Sequence, residues 1–200
     1  WIAAVGIVFA IAIGKEIYGG FGRNIFNPAI TGRLFIYITF PTVLANAWMV
    51  PGMFGMAGQA GIDAMTAATP LAAIRNPDIA TPGLLDFLIG TRPGSLGESS
   101  TILIVAAAVY LIYTKTAQWR LIVSTVVSAG VMLAIFDLTG LTQGMPPHIG
   151  LMSGSILYVS VFMSTDPVSA PNKNMSQIIY GTIIGSVSMI VRVFSGFPEG

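Results

Sequence analysis

The chain has no cysteine, a single histidine (His148), and only 8% charged residues over its 200 positions. Without thiols it can form no disulfide, no thiolate metal site and no cysteine-ligated iron–sulfur cluster of its own. One histidine cannot build a haem or zinc site unaided, and a lone His at a membrane boundary is more often an interfacial residue than a ligand. The net charge of +1, with no basic cluster interleaved with aromatics, excludes a nucleic-acid footprint. Apolar surface takes the place of charge. Hydrophobic residues make up 54% of the chain and the mean hydropathy is +0.80, whereas soluble domains carry roughly 25% charged residues. Most of such a surface must face lipid or other protein, so composition predicts an integral membrane protein. Any electrons passing through it must be carried by an organic cofactor.

Six apolar segments stand out, roughly Trp1 to Ile13, Leu34 to Val50, Thr101 to Thr114, Leu121 to Leu138, Ile149 to Met163 and Ile178 to Val193. Several fall short of the ~20 residues that cross a bilayer. Short spans interrupted by Gly and Pro point to broken helices around a binding site near the membrane midplane. The expectation is an all-α membrane protein of about six transmembrane or broken helices. The chain starts at Trp1 in mid-hydrophobic run, with no charged leader, which predicts one transmembrane domain over residues 1–200 that is a piece of a longer protein.

Charge predicts an orientation. Lys15, Arg23 and Arg33 lie between the first two segments, Lys115 and Arg120 between the third and fourth, and Lys173 between the fifth and sixth. These alternate connections share one side, which the positive-inside rule makes cytoplasmic. The long connection within 51–100, with Asp63, Asp78, Asp86 and Glu98 against Arg75 and Arg92, then lies outside.

That connection contains Asp63-Ala64-Met65-Thr66-Ala67-Ala68-Thr69-Pro70-Leu71. Small residues beside Thr69 leave its hydroxyl reachable, and Pro70 biases Thr69 away from helical dihedrals, so the threonine sits on an exposed extended segment. A threonine hydroxyl is a poor nucleophile by itself, and the nearby Asp63 is a carboxylate of the kind that can help to hold Mg²⁺. Alternatively, Thr69 simply caps a helix that starts at Pro70.

Two further segments carry polar groups into apolar surroundings. In Gly19-Gly20-Phe21-Gly22-Arg23-Asn24-Ile25-Phe26-Asn27-Pro28-Ala29, the two asparagines are three apart, so on a helical turn both amides point one way. They suit a ring ligand, and suit equally well the capping of a half-helix that begins at Pro28. In Met163-Ser164-Thr165-Asp166-Pro167-Val168-Ser169-Ala170-Pro171, a carboxylate ends an apolar run. Asp166 must be paired, hydrogen-bonded, able to bind a cation or proton, or the cap of the helix that follows. Asp166-Pro167-Val168 echoes Asn27-Pro28-Ala29, which fits the repeated half-helices of transporter folds. Pro93-Gly94-Ser95-Leu96-Gly97-Glu98 is a turn ahead of the third segment, in which Glu98 is expected to cap the helix.

These motifs, in this order, resemble those of the NqrB/RnfD family, the membrane subunits NqrB of the sodium-translocating NADH:quinone oxidoreductase (Nqr) and RnfD of the Rnf electron-transport complex. Phe197-Pro198-Glu199-Gly200 near Arg192 matches the same family. Two glycines usual around the attachment threonine are Ala64 and Ala67 here. The resemblance implies a pseudo-symmetric helical bundle similar to urea transporters, seated in a bacterial or archaeal cytoplasmic membrane, and a redox-driven pump that moves Na⁺ or H⁺. It implies FMN on Thr69 through a phosphoester, with Thr66 and Asp63 in the attachment motif, and a second flavin, riboflavin, held near Arg23, Asn24 and Asn27. Asp166 is the candidate for ion translocation. Implied partners are the other subunits, a flavin transferase, lipid and, for an Nqr-type complex, quinone. Gly22-Arg23-Asn24 leans towards Nqr, and Phe194-Ser195-Gly196-Phe197 towards Rnf. Two other readings remain open at this point: a solute channel on the same scaffold, and a purely structural membrane subunit.

Overall fold

The computed structural model describes residues 1–45, 83–91, 97–141 and 146–194. Among them every regular element is helical: α1 (Ile2–Ala12), a 3₁₀ turn (Glu16–Tyr18), α2 (Pro28–Thr39), α3 (Pro41–Ala45), α4 (Leu84–Ile89), α5 (Thr101–Tyr113), α6 (Trp119–Leu138), α7 (Pro147–Met152), α8 (Ile156–Tyr158), which runs on as a π-helical turn (Val159–Met163), and α9 (Asn174–Phe194). Two of these, α6 and α9, are long and apolar enough to cross a membrane.

Helices α1 and α2 form an antiparallel hairpin. Glycines let the backbones meet: a Cβ on Gly32 would stand 2.8 Å from the Gly6 carbonyl oxygen. Aromatics close its sides, with Phe9 stacked on Phe35 at 3.9 Å and Trp1 edge-on to Phe40 at 5.2 Å. Helices α4 to α9 form a second body. Here α6 and α9 run parallel, because Gly181 faces Leu121 and Ser124 while Gly185 faces Ser128 and Ala129, one turn further along both. Gly181 and Gly185 are a small-xxx-small pair, which lets membrane helices approach closely enough for dispersion and weak polar contacts to hold them. The Ser128 hydroxyl donates to its own Thr125 carbonyl at 3.0 Å and reaches the Gly181 carbonyl at 3.4 Å.

A parallel pair forces the chain to return between them, and α8 makes that descent. Ile156 packs with Leu133, Phe136 and Met189 at one end, and Val161 with Ile104, Ala117 and Ile122 at the other. Neither apolar cluster contains a described residue of α1 or α2.

Polarity is arranged inside out. Val123, Val127, Val131 and Ile135 of α6 and Ile179, Ile183, Val187 and Ile190 of α9 are exposed, whereas Thr125, Ser128, Ser153, Ser160 and Gln177 are buried. Apolar stripes of this length left outward, over a seam of small and hydroxyl residues, suit an apolar solvent.

Three expectations change. The second apolar segment begins at Pro28 rather than Leu34, since Asn27 and Pro28 supply a cap and a first residue. Arg33, assigned to a connection, stands inside α2 and pairs with Glu98 at 2.7 Å. Glu98 is therefore not the cap of α5; that role falls to Ser100, whose hydroxyl accepts the Leu103 N–H at 3.4 Å. The segment from Ile149 to Met163 is broken at Ser153–Gly154, where Gly154 takes φ 67°.

Gly185→Leu is expected to cost about 1–3 kcal/mol by overpacking the seam, and the outward Ile183→Leu less than about 0.5 kcal/mol. Thermal unfolding of the full-length protein in mild detergent reads both. Equal losses would show that α6 and α9 are not held together through this seam.

Candidate functional site

Between α1 and α2 the chain reverses and then starts a helix in apolar surroundings. Gly19, Gly20 and Gly22 make the reversal at φ 108°, 85° and 83°, a region in which side chains are strained. Pro28 requires an extended residue before it, and Asn27 obliges with ψ 119°. Residues 24–27 are consequently not helical, and the two asparagines do not share a helical face as expected. Asn24 is buried and donates its amide to the Phe26 carbonyl at 3.0 Å, within the turn. Arg23 is exposed, its side chain running past Gly19.

Asn27 does two jobs at once. Its Oδ1 accepts the Ala29 N–H at 2.9 Å and the Ile30 N–H at 3.4 Å, capping α2. Its Nδ2 donates to the Met163 carbonyl at 3.2 Å, across 136 positions of sequence. The reason lies in the second proline motif. A helical carbonyl looks to the N–H four residues on, and for Met163 that residue is Pro167, which has none. One proline motif orphans a carbonyl and the asparagine of the other satisfies it.

Asp166 follows immediately. Its Oδ2 accepts the Ser169 hydroxyl at 2.7 Å, its Oδ1 the Val168 N–H at 3.4 Å, and its carbonyl the Ala170 N–H at 2.9 Å. It closes a turn over 167–170 rather than capping a helix, since α9 begins only at Asn174.

The two motifs share a cleft of about 480 Å³. Asn27, Pro28 and Ala29 form one wall, Phe162 and Asp166 a second, and Leu111 and Ala117 a third. Thr165 also lines it, but its hydroxyl is spent on the Val161 carbonyl at 2.6 Å. What remains for a ligand is a mostly apolar lining, the second amide hydrogen of Asn27, the free lone pairs of the Asp166 carboxylate and the hydroxyl of Thr116, which lies 3.0 Å from that of Thr114. Of the residues marked out in the sequence, Asn27 and Asp166 are brought together; Asn24 and Arg23 do not line the cleft. Thr69, Thr66 and Asp63 lie outside the described residues.

Two charged contacts were not anticipated. The Arg33–Glu98 pair, with Glu98 almost fully buried, fastens the segment before α5 to the hairpin, and the Arg33 guanidinium also lies 5.7 Å from the Tyr37 ring centre. Arg192 is buried and donates to the Gly150 carbonyl of α7 at 2.6 Å. The signal in the sequence was a cation inside an apolar run, which by default demands a partner.

Asn27→Ser keeps a capping oxygen but cannot reach Met163, whereas Asn27→Ala loses both bonds. The serine variant is expected to lose about 1 kcal/mol for the tether and the alanine variant about 1 kcal/mol more for the cap, in unfolding of the full-length protein. Equal losses would remove the capping role.

The whole chain, residues 1–200, matches the model of the NQR2, RnfD, RnfE family. It is 35% identical over 209 residues to the B subunit of the Na(+)-translocating NADH-quinone reductase of Chromohalobacter salexigens, covering 100% of this chain and 49% of that protein. The B subunits of the same enzyme from Azotobacter vinelandii, at 33% over 205 residues, and Ectopseudomonas mendocina, at 35% over 211 residues, are each matched by 100% of this chain over 50% of their own length. The chain thus spans about half the length of these relatives. Two membrane-length helices, an inside-out polarity and a match that runs from end to end lead to one conclusion: the chain belongs to the NQR2, RnfD, RnfE family.

Proposed function

We propose that this chain is part of a flavin-carrying, multi-pass subunit of a redox-driven Na⁺ or H⁺ pump in a bacterial or archaeal cytoplasmic membrane, an oxidoreductase of the Nqr or Rnf type. The observation that carries the proposal is the match, over all of this chain, to relatives named as B subunits of a Na⁺-translocating NADH-quinone reductase. On this reading the six segments belong to a pseudo-symmetric bundle, and the two proline motifs facing each other across one cleft are the trace of its symmetry. The residues 51–100 lie on the outer face, and the chain works beside other subunits, with quinone as the electron acceptor in an Nqr-type complex.

Thr69 is the acceptor of FMN through a phosphoester made by a flavin transferase, with Asp63 and Thr66 in the recognition segment. A second flavin, riboflavin, belongs near Asn27, with Asn24 and Arg23 shaping the turn behind it. A mostly apolar cleft of about 480 Å³ with a few polar groups is of the kind that takes a ring ligand. A bound flavin supplies one-electron redox chemistry, while the chain sets its position, polarity and exclusion of water. Asn27 offers an N–H to a ring carbonyl or nitrogen. Asp166, at the same cleft, offers carboxylate oxygens to a cation or proton.

Peptide mass spectrometry of the full-length protein, co-expressed with a flavin transferase, is expected to show one FMN less water on the peptide containing Thr69, and none in Thr69→Ala. An unmodified wild-type peptide beside a modified control substrate would turn the proposal towards a channel or a structural subunit. Asp166→Ala is expected to lower the number of ions moved per electron in proteoliposomes of the assembled complex. An unchanged ratio would remove Asp166 from the ion path.

A further inference from the structure

Away from the cleft, a groove of about 510 Å³ runs between α6 and α9. Its rim is apolar and open: Val123, Val127, Val131 and Ile178 line it and are each between 44% and 56% exposed. Its floor contains hydroxyls, most of them returned to the backbone. Ser124 donates to the Leu121 carbonyl at 3.1 Å, Ser128 to Thr125 at 3.0 Å, and Thr182 to Ile178 at 2.8 Å. Apart from the hydroxyl of Ser186, which also lines the groove, a guest meets mainly hydrocarbon.

One end is different. Arg120 and Trp119 line the groove where α6 begins, with the guanidinium carbon 5.0 Å from the indole centre. Among the described residues this guanidinium has no carboxylate partner; the ion pair found there is Arg33–Glu98. Since α6 and α9 run parallel, α9 also starts at this end, preceded by the exposed Lys173, and exposed Lys115 precedes α6. Asp166, near the same end, is engaged by Ser169 and Val168. The groove mouth thus gathers positive charge beside an interfacial tryptophan. From Arg120 to Met132 it follows 13 residues of helix, about 18 Å from first to last, close to the roughly 15 Å of one leaflet's hydrocarbon.

We propose that this groove binds a phospholipid with a net negative headgroup, its phosphate on Arg120 and one acyl chain along Val123, Val127 and Val131. Charge complementarity decides the occupant. A second protein helix without a carboxylate at this level would satisfy the valines but leave the guanidinium without an anion. A free phosphate would satisfy Arg120 but not the valines. Arginine suits the headgroup, since its forked donors take two phosphate oxygens at once.

The test is native mass spectrometry of the full-length protein in mild detergent, titrated with phosphatidylglycerol and, separately, phosphatidylcholine. Wild-type protein is expected to retain phosphatidylglycerol preferentially, and Arg120→Gln to weaken the tightest site about fivefold, which converts to the ~1 kcal/mol carried by one basic residue at an anionic surface. Val127→Trp, which fills the groove from its exposed rim, is expected to abolish that site. An affinity unchanged by Arg120→Gln overturns the headgroup assignment. Occupancy that survives Val127→Trp, or displacement by inorganic phosphate alone, overturns the groove. As a second measurement, a fluorophore on Val127→Cys, in full-length protein with any cysteine outside this cysteine-free chain replaced by serine, is expected to be quenched by lipids spin-labelled on the acyl chain. An unquenched label would mean that protein covers the groove, and would sink the proposal.

Discussion

The hydrogen bond from Asn27 to the Met163 carbonyl is the interaction on which the candidate site depends. In hydrocarbon an unpaired backbone group costs several kcal/mol, so each helix break has to be answered from within the protein. Pro167 removes the N–H that Met163 would have used, and Asn27 replaces it from another helix while capping its own. One amide therefore sets where α2 starts, where α8 stops, and how far apart the walls of the cleft stand. Asp166 does the same locally for the turn that leaves α8.

The rest of the second body follows from the same scarcity of donors. Ser124, Thr125, Ser128, Ser160, Ser164 and Thr165 all return their hydroxyl protons to backbone carbonyls within their own helices. This lets small polar residues occupy a helix seam without unmet hydrogen bonds, so that contact distance, set by Gly181 and Gly185, determines the packing. Placing Arg192 and the Arg33–Glu98 pair inside such a body requires a partner for each, and a carbonyl and a carboxylate provide them.

Much of this was legible in the residues. Long apolar runs placed α1, α5, α6 and α9 within a few residues, because a hydrophobic run has one meaning in a chain with this little charge. The echo of Asn27-Pro28-Ala29 in Asp166-Pro167-Val168 placed both motifs at helix breaks. Their meeting was not legible, since a bond across 136 positions leaves no local trace. The supposed pairing of Asn24 with Asn27 failed for a local reason: three left-handed glycines and the demand of Pro28 override the three-residue spacing. Glu98 resembled a cap because acidic residues favour helix starts, and the nearby Ser100 offered the better-placed oxygen. The Gly181–Gly185 seam was present in the sequence as a small-xxx-small pattern and was hidden by the uniform hydropathy around it. Thr69 lies outside the described residues.

The hairpin of α1 and α2 shares neither apolar core cluster with the helices it faces, and is fastened to them by Asn27–Met163 and Arg33–Glu98. The two attachments differ in stiffness from the glycine seam of α6 and α9. A packed seam ties its two helices along their length, whereas polar tethers tie the hairpin at separate points. Loss of either tether among the described residues would therefore be felt in how the hairpin is held, and not in the register of α6 on α9.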